Sequence, residues 1–184
     1  MSRALLLGAI ASFVSAAPAA VMADTRVEEF HASLSGFDEV GVLGDITGAI
    51  LTNGRGTLDL RLDRTNQTLS FKLTYSGLSA PVLQSHIHFG KPHVAGGVMV
   101  FFCSNLASAP AGTQACPAGG GTISGTITAA NLLALPGQNV TANNFDALQD
   151  ALETSTSYIN VHTKTFPTGE IRGEIRREFG SQDD

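Results

Sequence analysis

Three histidines frame the chemical question this sequence poses. His86 and His88 sit two positions apart in "SHIHFG", and His162 closes "SYINVH" some seventy residues later. On an extended strand, successive side chains point to opposite faces, so His86 and His88 share one face while Ser85, Ile87 and Phe89 share the other. Their Cα atoms then lie roughly 6.5 to 7 Å apart, from the strand rise. Two imidazoles at that spacing can converge on one ion about 2 Å from each nitrogen. His162 alternates in the same way: Ile159 and Val161 take the apolar face, and Tyr158, Asn160 and His162 the other. The pattern allows, as the alternative to three solvated polar residues, a mononuclear metal site on His86, His88 and His162, and an all-imidazole set suits copper(II) or zinc. It also places all three on outward, half-wet strand faces, where the competing reading is three solvated polar residues. His93, in the turn after the pair, and His31, on the first strand, are candidate fourth contacts.

In the elements that hold these residues, the dominant period is two. "EFHASLSG" sets Phe30, Ala32 and Leu34 against His31 and Ser33. "GTLDLRLD" and "TLSFKLTYSGL" alternate in the same way on either side of the polar turn "DRTNQ", which reads as a hairpin. "QSHIHFG", "GGVMVFFC", "GTISGTIT", "SYINVHTK" and "GEIRGEIRREF" continue the series. Many alternating strands indicate antiparallel sheets, so the fold is expected to be a mostly β, Greek-key-like β-sandwich. One or two short helices interrupt it in the 128–155 region. Thr128 can cap a short turn, and "NFDALQDALETS" puts Phe145, Leu148 and Leu152 at helical spacing, with Asp146 in the first turn.

Residues 1–23, "MSRALLLGAIASFVSAAPAAVMA", read as a signal peptide. Arg3 precedes an apolar, Ala-rich run, and Val21 and Ala23 suit cleavage after Ala23. Ser12, Ser15 and Pro18 interrupt the run and argue against a membrane anchor, and no other stretch reaches the roughly 18 to 20 apolar residues a bilayer crossing needs. Residues 24–184 would form a single domain of about 160 residues, with its core over 28–177 and a short mobile tail. A secreted or periplasmic location follows. The formal net charge is −5, with no basic run, which excludes nucleic-acid binding by phosphate neutralisation. Cys103 and Cys116 are the only cysteines, and in an exported chain they read as one disulfide.

Nucleophilic and phosphate-binding motifs are absent: "GTISG" has the wrong spacing for a serine elbow, and neither HExxH nor a phosphate loop occurs. No residue is assigned a catalytic role, and an enzyme is the less favoured reading. Glu170, Arg172, Glu174 and Arg176 alternate as an ordinary surface charge ladder.

The segments "FHASLSGFDEV", "LSFKLTYSGL", "SHIHFG", "GTISGTITAANL" and "SYINVHTKTFPTGEIRGEI" resemble, in this order, the CHRD domain named for chordin. The resemblance covers about residues 28–177. It departs from the usual pattern at His93 in "GKPHVAGG" and in "EVGVLGD", which lacks the double proline that often follows the acidic residue. It implies an extracellular β-sandwich acting as a non-enzymatic binding or structural module, its partner an unidentified extracellular protein or small ligand. A more distant likeness is to the His-x-His strand of copper–zinc superoxide dismutase, an antiparallel Greek-key sandwich. The residues of a zinc half-site and a bridging histidine are missing here, so that likeness implies an architecture and a mononuclear site, not the dismutase activity.

Overall fold

The computed structural model describes residues 27–41 and 48–178. The leader at 1–23 and the tail "GSQDD" therefore lie outside the described residues. Among the described residues no helix is long and apolar enough to cross a membrane.

The alternating segments all form strands: β1 (Val27–Ser35), β2 (Arg55–Asp63), β3 (Thr68–Ser76), β4 (Val82–Phe89), β5 (Gly97–Ser104), β6 (Gly121–Ile127), β7 (Ser157–Thr163), β8 (Ile171–Glu174) and the two-residue β9 (Arg176–Arg177). Each pairing is antiparallel, in the order β5-β4-β7-β8-β1-β2-β3-β6, with β9 beside β1. The mostly β, sandwich-like expectation holds. The two terminal strands of the ladder approach each other, so the sheet is nearly closed. Gln114 Nε2 spans the gap, donating to Phe102 O on β5 at 3.1 Å and to Ser124 O on β6 at 3.4 Å. Phe71 of β3 and Phe102 of β5 meet inside, ring centroids 4.7 Å apart. The disulfide between Cys103 at the end of β5 and Cys116 (S–S 2.08 Å) ties the connecting loop to the same edge.

The period-two apolar faces fill the interior. Phe30, Ala32 and Leu34 of β1, Leu58, Leu60 and Leu62 of β2, and Ile159 and Val161 of β7 are all buried. The helix α1 (Phe145–Glu153) starts where Asn144 accepts a hydrogen bond from the Ala147 amide at 3.0 Å, the usual role of an N-cap side chain. Its buried residues are Phe145, Leu148, Ala151 and Leu152, and Arg64, in the β2–β3 turn, reaches its last residue Glu153 at 2.7 Å. The other helical pieces near it are single 3₁₀ turns at Ala129–Asn131 and Pro136–Gln138. Thr128 and Asn131 close a capping box on the first.

Candidate functional site

β4 carries His86 and His88, and its neighbour β7 carries Asn160 and His162. The antiparallel register pairs Gln84 with His162, His86 with Asn160 and His88 with Tyr158. Paired residues share a face, so all six side chains stand on the same side of the sheet. The expectation that the histidine strands lie together in one sheet is met. β5 departs from simple pairing opposite the histidines: its register with β4 shifts between Ser85 and His86 and again between Ile87 and His88. Such bulges re-aim side chains.

The three imidazoles meet. His86 lies between the other two, with ring centroids 4.5 Å from His162 and 4.7 Å from His88, and the three available ligand nitrogens all lie within 4.8 Å of one another. Two nitrogens bonded to one ion at about 2.0 to 2.1 Å can be no more than about 4.1 Å apart, so a contraction of under an ångström suffices. His31 and His93 are not part of the group. His31 hydrogen-bonds Asp59 at 2.9 Å and Ser33 at 3.2 Å on β1 and β2, and His93 is exposed in its turn.

The outward, wet placement of these histidines is wrong. The alternation is correct, since Ile87 is fully buried on the opposite face, but His86, His88 and His162 are only 2%, 8% and 6% exposed. Segments without periodicity cover the polar face: Glu39–Gly41 after β1, Ala95 and Gly96 before β5, and Pro167 and Thr168 in the β7–β8 turn. Together with His88, Tyr158, Asn160, His162 and Arg172 they enclose a cavity of about 250 Å³.

The backbone fixes the proton on two of the rings. His88 Nδ1 lies 2.8 Å from Gly96 O, and His162 Nδ1 lies 2.9 Å from Pro167 O. A carbonyl oxygen only accepts, so both Nδ1 atoms carry the hydrogen and both Nε2 atoms of the neutral rings carry a lone pair. Both Nε2 atoms face Asn160 Oδ1, at 3.1 Å from His88 and 2.9 Å from His162. His86 Nδ1 is buried and has no hydrogen-bond partner among the described residues. Burial holds all three rings in the neutral form. It pushes His86 well below its ordinary value, helped by repulsion from His162 and His88 and opposed by Asn160. It pushes His88 down to about 4 against the opposing Gly96 hydrogen bond, and lowers His162 against that of Pro167.

The walls are tied as firmly. Tyr158 stacks on His88 at 4.6 Å with the rings 5° from parallel, and its hydroxyl accepts from the Gly96 amide at 3.0 Å. The Arg172 guanidinium lies 3.4 Å above the other face of that ring system, by its centroid, and donates to Glu174 at 3.0 Å and to Val94 O. Arg172 is 1% exposed, and its register partner on β7 is Asn160. Of the expected surface charge ladder, Arg176 is exposed and Glu174 half-buried, but Arg172 and Glu170 are buried. Glu170, fully buried, accepts from Thr52, Ser79 and Thr163 hydroxyls at 2.6 to 2.7 Å and from the Ser79 amide at 2.8 Å.

Glu39 is the site residue that strand periodicity does not find. Its carboxyl is seated over Gly169, where any Cβ would collide with it. Burial raises its pKa to about 7, although Arg172, the Val40 amide and the Asn160 side chain all favour the charged form. The signal for it was the acidic residue following "LSGFD", not a pattern of alternation.

A nearly closed antiparallel β-module with a buried imidazole trio is thereby defined. Residues 30–175 match the model of the CHRD domain, and the chain belongs to that family. No curated protein and no solved structure matches it.

Proposed function

We propose that this CHRD module is exported and holds one copper(II) or zinc ion on His86, His88 and His162, acting as a non-enzymatic metal-binding module of the periplasm or extracellular space. The observation that carries the reading is the locked tautomer: Gly96 O and Pro167 O take the Nδ1 protons of His88 and His162, which turns both Nε2 lone pairs toward one point. Backbone carbonyls orient metal-binding histidines in this way in general. Three imidazole donors suit copper(II) and zinc, and copper would add one-electron chemistry. Export is supported by the leader-like residues 1–23 and by the disulfide, a bond that persists in oxidising compartments.

The test is metal analysis of protein purified from its exporting host, followed by calorimetric titration of the stripped protein with each ion. One equivalent of copper or zinc, lost in His86→Ala and His162→Ala but kept in His31→Ala, is expected. Equal affinity in the wild type and all three site variants would leave a plain binding or structural module. That second reading is favoured by the site walls, where Arg172 is held by Glu174 at 3.0 Å and lies over the Tyr158 ring without any ligand.

A further inference from the structure

Asn160 stands at the centre of the histidine cluster. It shares the strand face of His162, two residues on, and faces His86 across the β4–β7 ladder. Its carboxamide oxygen is 2.9 Å from one imidazole Nε2 and 3.1 Å from another. Both of those nitrogens are acceptors, because their rings already donate through Nδ1 to Gly96 O and Pro167 O. Three lone-pair-bearing atoms therefore face a single point with no hydrogen among them. An acceptor turned toward two acceptors is repulsive in a buried site; a proton on one ring, an end-for-end turn of the amide or a cation between the three atoms relieves it, and burial disfavours the proton.

The other end of the amide points away from the rings. Glu39 Oε1 is buried without a hydrogen-bond partner among the described residues, and the Asn160 side chain favours the charged form of that carboxyl, as a donor beside it does. Glu39 is 6% exposed, and the Gly169 backbone leaves the space in which its carboxyl sits. The side chain that would turn Asn160 Oδ1 toward the imidazoles is thus in place.

Resting on the metal reading above, we propose that Asn160 Oδ1 is a fourth donor to the ion, completing an N₃O set, and that Glu39 is a positioning residue that orients the amide. The distances also discriminate between ions. With bonds of about 2.0 to 2.1 Å, donor separations of 2.9 and 3.1 Å subtend about 90 to 100° at the ion, below the roughly 109° of a zinc tetrahedron. Angles near 90° belong to the tetragonal N,O environments of copper(II). The site is accordingly expected to take copper(II) in preference to zinc beyond the general affinity order.

The experiment compares wild type, Asn160→Leu, Asn160→Asp and Glu39→Gln, each checked for folding by circular dichroism. Copper(II) and zinc affinities are measured by calorimetry, and the copper-loaded proteins by electron paramagnetic resonance. Asn160→Leu should lose at least about tenfold in copper(II) affinity and change the copper spectrum, Asn160→Asp should retain the affinity within a few-fold but shift the spectrum, because an anionic oxygen replaces a neutral one, and Glu39→Gln should fall between them in affinity with a smaller spectral shift. Should Asn160→Leu fail to fold, the Asn160→Asp and Glu39→Gln spectra still decide. A copper spectrum unchanged in both would remove the amide from the coordination sphere. Wild-type affinity and spectrum in Asn160→Leu would overturn the fourth donor while leaving the three-histidine site standing. Failure of the wild type to bind either ion would overturn both.

Discussion

Removing a single carboxyl should make the metal-free protein more stable at neutral pH and more sensitive to acid. The perturbation is Glu39→Gln. Two buried groups of the site titrate against each other. His88, pushed from its ordinary 6.5 down to about 4 chiefly by burial, stays neutral in the fold while the unfolded chain takes up a proton below pH 6.5. Acidification from 6.5 to 4 therefore favours the unfolded state, by about 3 kcal/mol at 1.36 kcal/mol per pH unit. His86 and His162 are lowered too and add in the same direction. Glu39, raised from 4.5 to about 7 chiefly by burial, does the opposite. Between pH 7 and 4.5 the folded protein binds a proton that the unfolded chain does not. That restores about 3 kcal/mol which the buried carboxylate removes above pH 7.

The wild type should thus lose stability on acidification less steeply than its histidines dictate, because Glu39 offsets about one of them. In Glu39→Gln the offset is gone. The variant should be up to about 3 kcal/mol more stable than wild type at pH 7.5, converge with it near pH 4.5, and show the steeper fall between the two. Urea unfolding in the presence of a chelator, at constant ionic strength and at half-unit steps from pH 4.5 to 7.5, measures both curves. Parallel curves, or a variant no more stable than wild type at pH 7.5, would refute the opposition of Glu39 and the histidines.

Metal affinity should persist well below the range of free imidazole. With His88 at about 4, binding is expected to hold to about pH 5 and fail toward pH 4, and a calorimetric midpoint near 6.5 would contradict the burial of the rings. Alkylation of exported protein without reductant should label neither Cys103 nor Cys116, and the double serine variant should lose about 3 kcal/mol, the chain-entropy value for a loop of this length. Glu170→Ala should destabilise by about 3 kcal/mol or more, since it strands the Thr52, Ser79 and Thr163 hydroxyls and the Ser79 amide. A change below about 1 kcal/mol in chemical unfolding would mean that water replaces the carboxylate.

The strands were legible because alternation is a local property. Leu58, Leu60 and Leu62 against Asp59 and Arg61 need no knowledge of the rest of the chain, and the same holds for the Ile87 and His88 faces. The environment of the second face was not legible. Whether water or protein covers His88 and His162 depends on Glu39–Gly41, Gly96 and Pro167, which carry no period and arrive from distant parts of the sequence. Alternating Glu and Arg at 170–176 reads alike as a surface ladder or as a buried network. Only the proximity of Thr52, Ser79 and Thr163 to Glu170, and of Tyr158 to Arg172, separates the two. The histidine trio was found because His-x-His at strand spacing and a third histidine on an equivalent face are themselves local patterns. Asn160 lies on the same face, but an amide between strand residues carries no signal of its own until its neighbours are known.

The two sides of β4 and β7 pose a contrast in energetics. Ile87, Ile159 and Val161 fill one side at no electrostatic cost. The other side buries three bases within reach of one another, together with a carboxyl and a guanidinium, all of which must be held by specific partners. For stability alone, apolar residues of similar volume would serve such a face as well or better. A ligand that binds only the folded protein changes that balance: at a free concentration one hundred times its dissociation constant it contributes about 2.7 kcal/mol. This is comparable with the roughly 3 kcal/mol that a single buried histidine forfeits by pH 4. Saturating copper(II) should therefore raise the unfolding midpoint of the wild type, by a nearly constant amount between pH 6.5 and 5, where the folded rings are already neutral. His86→Ala should show no such rise. A rise of equal size in His86→Ala would place the bound ion elsewhere on the protein.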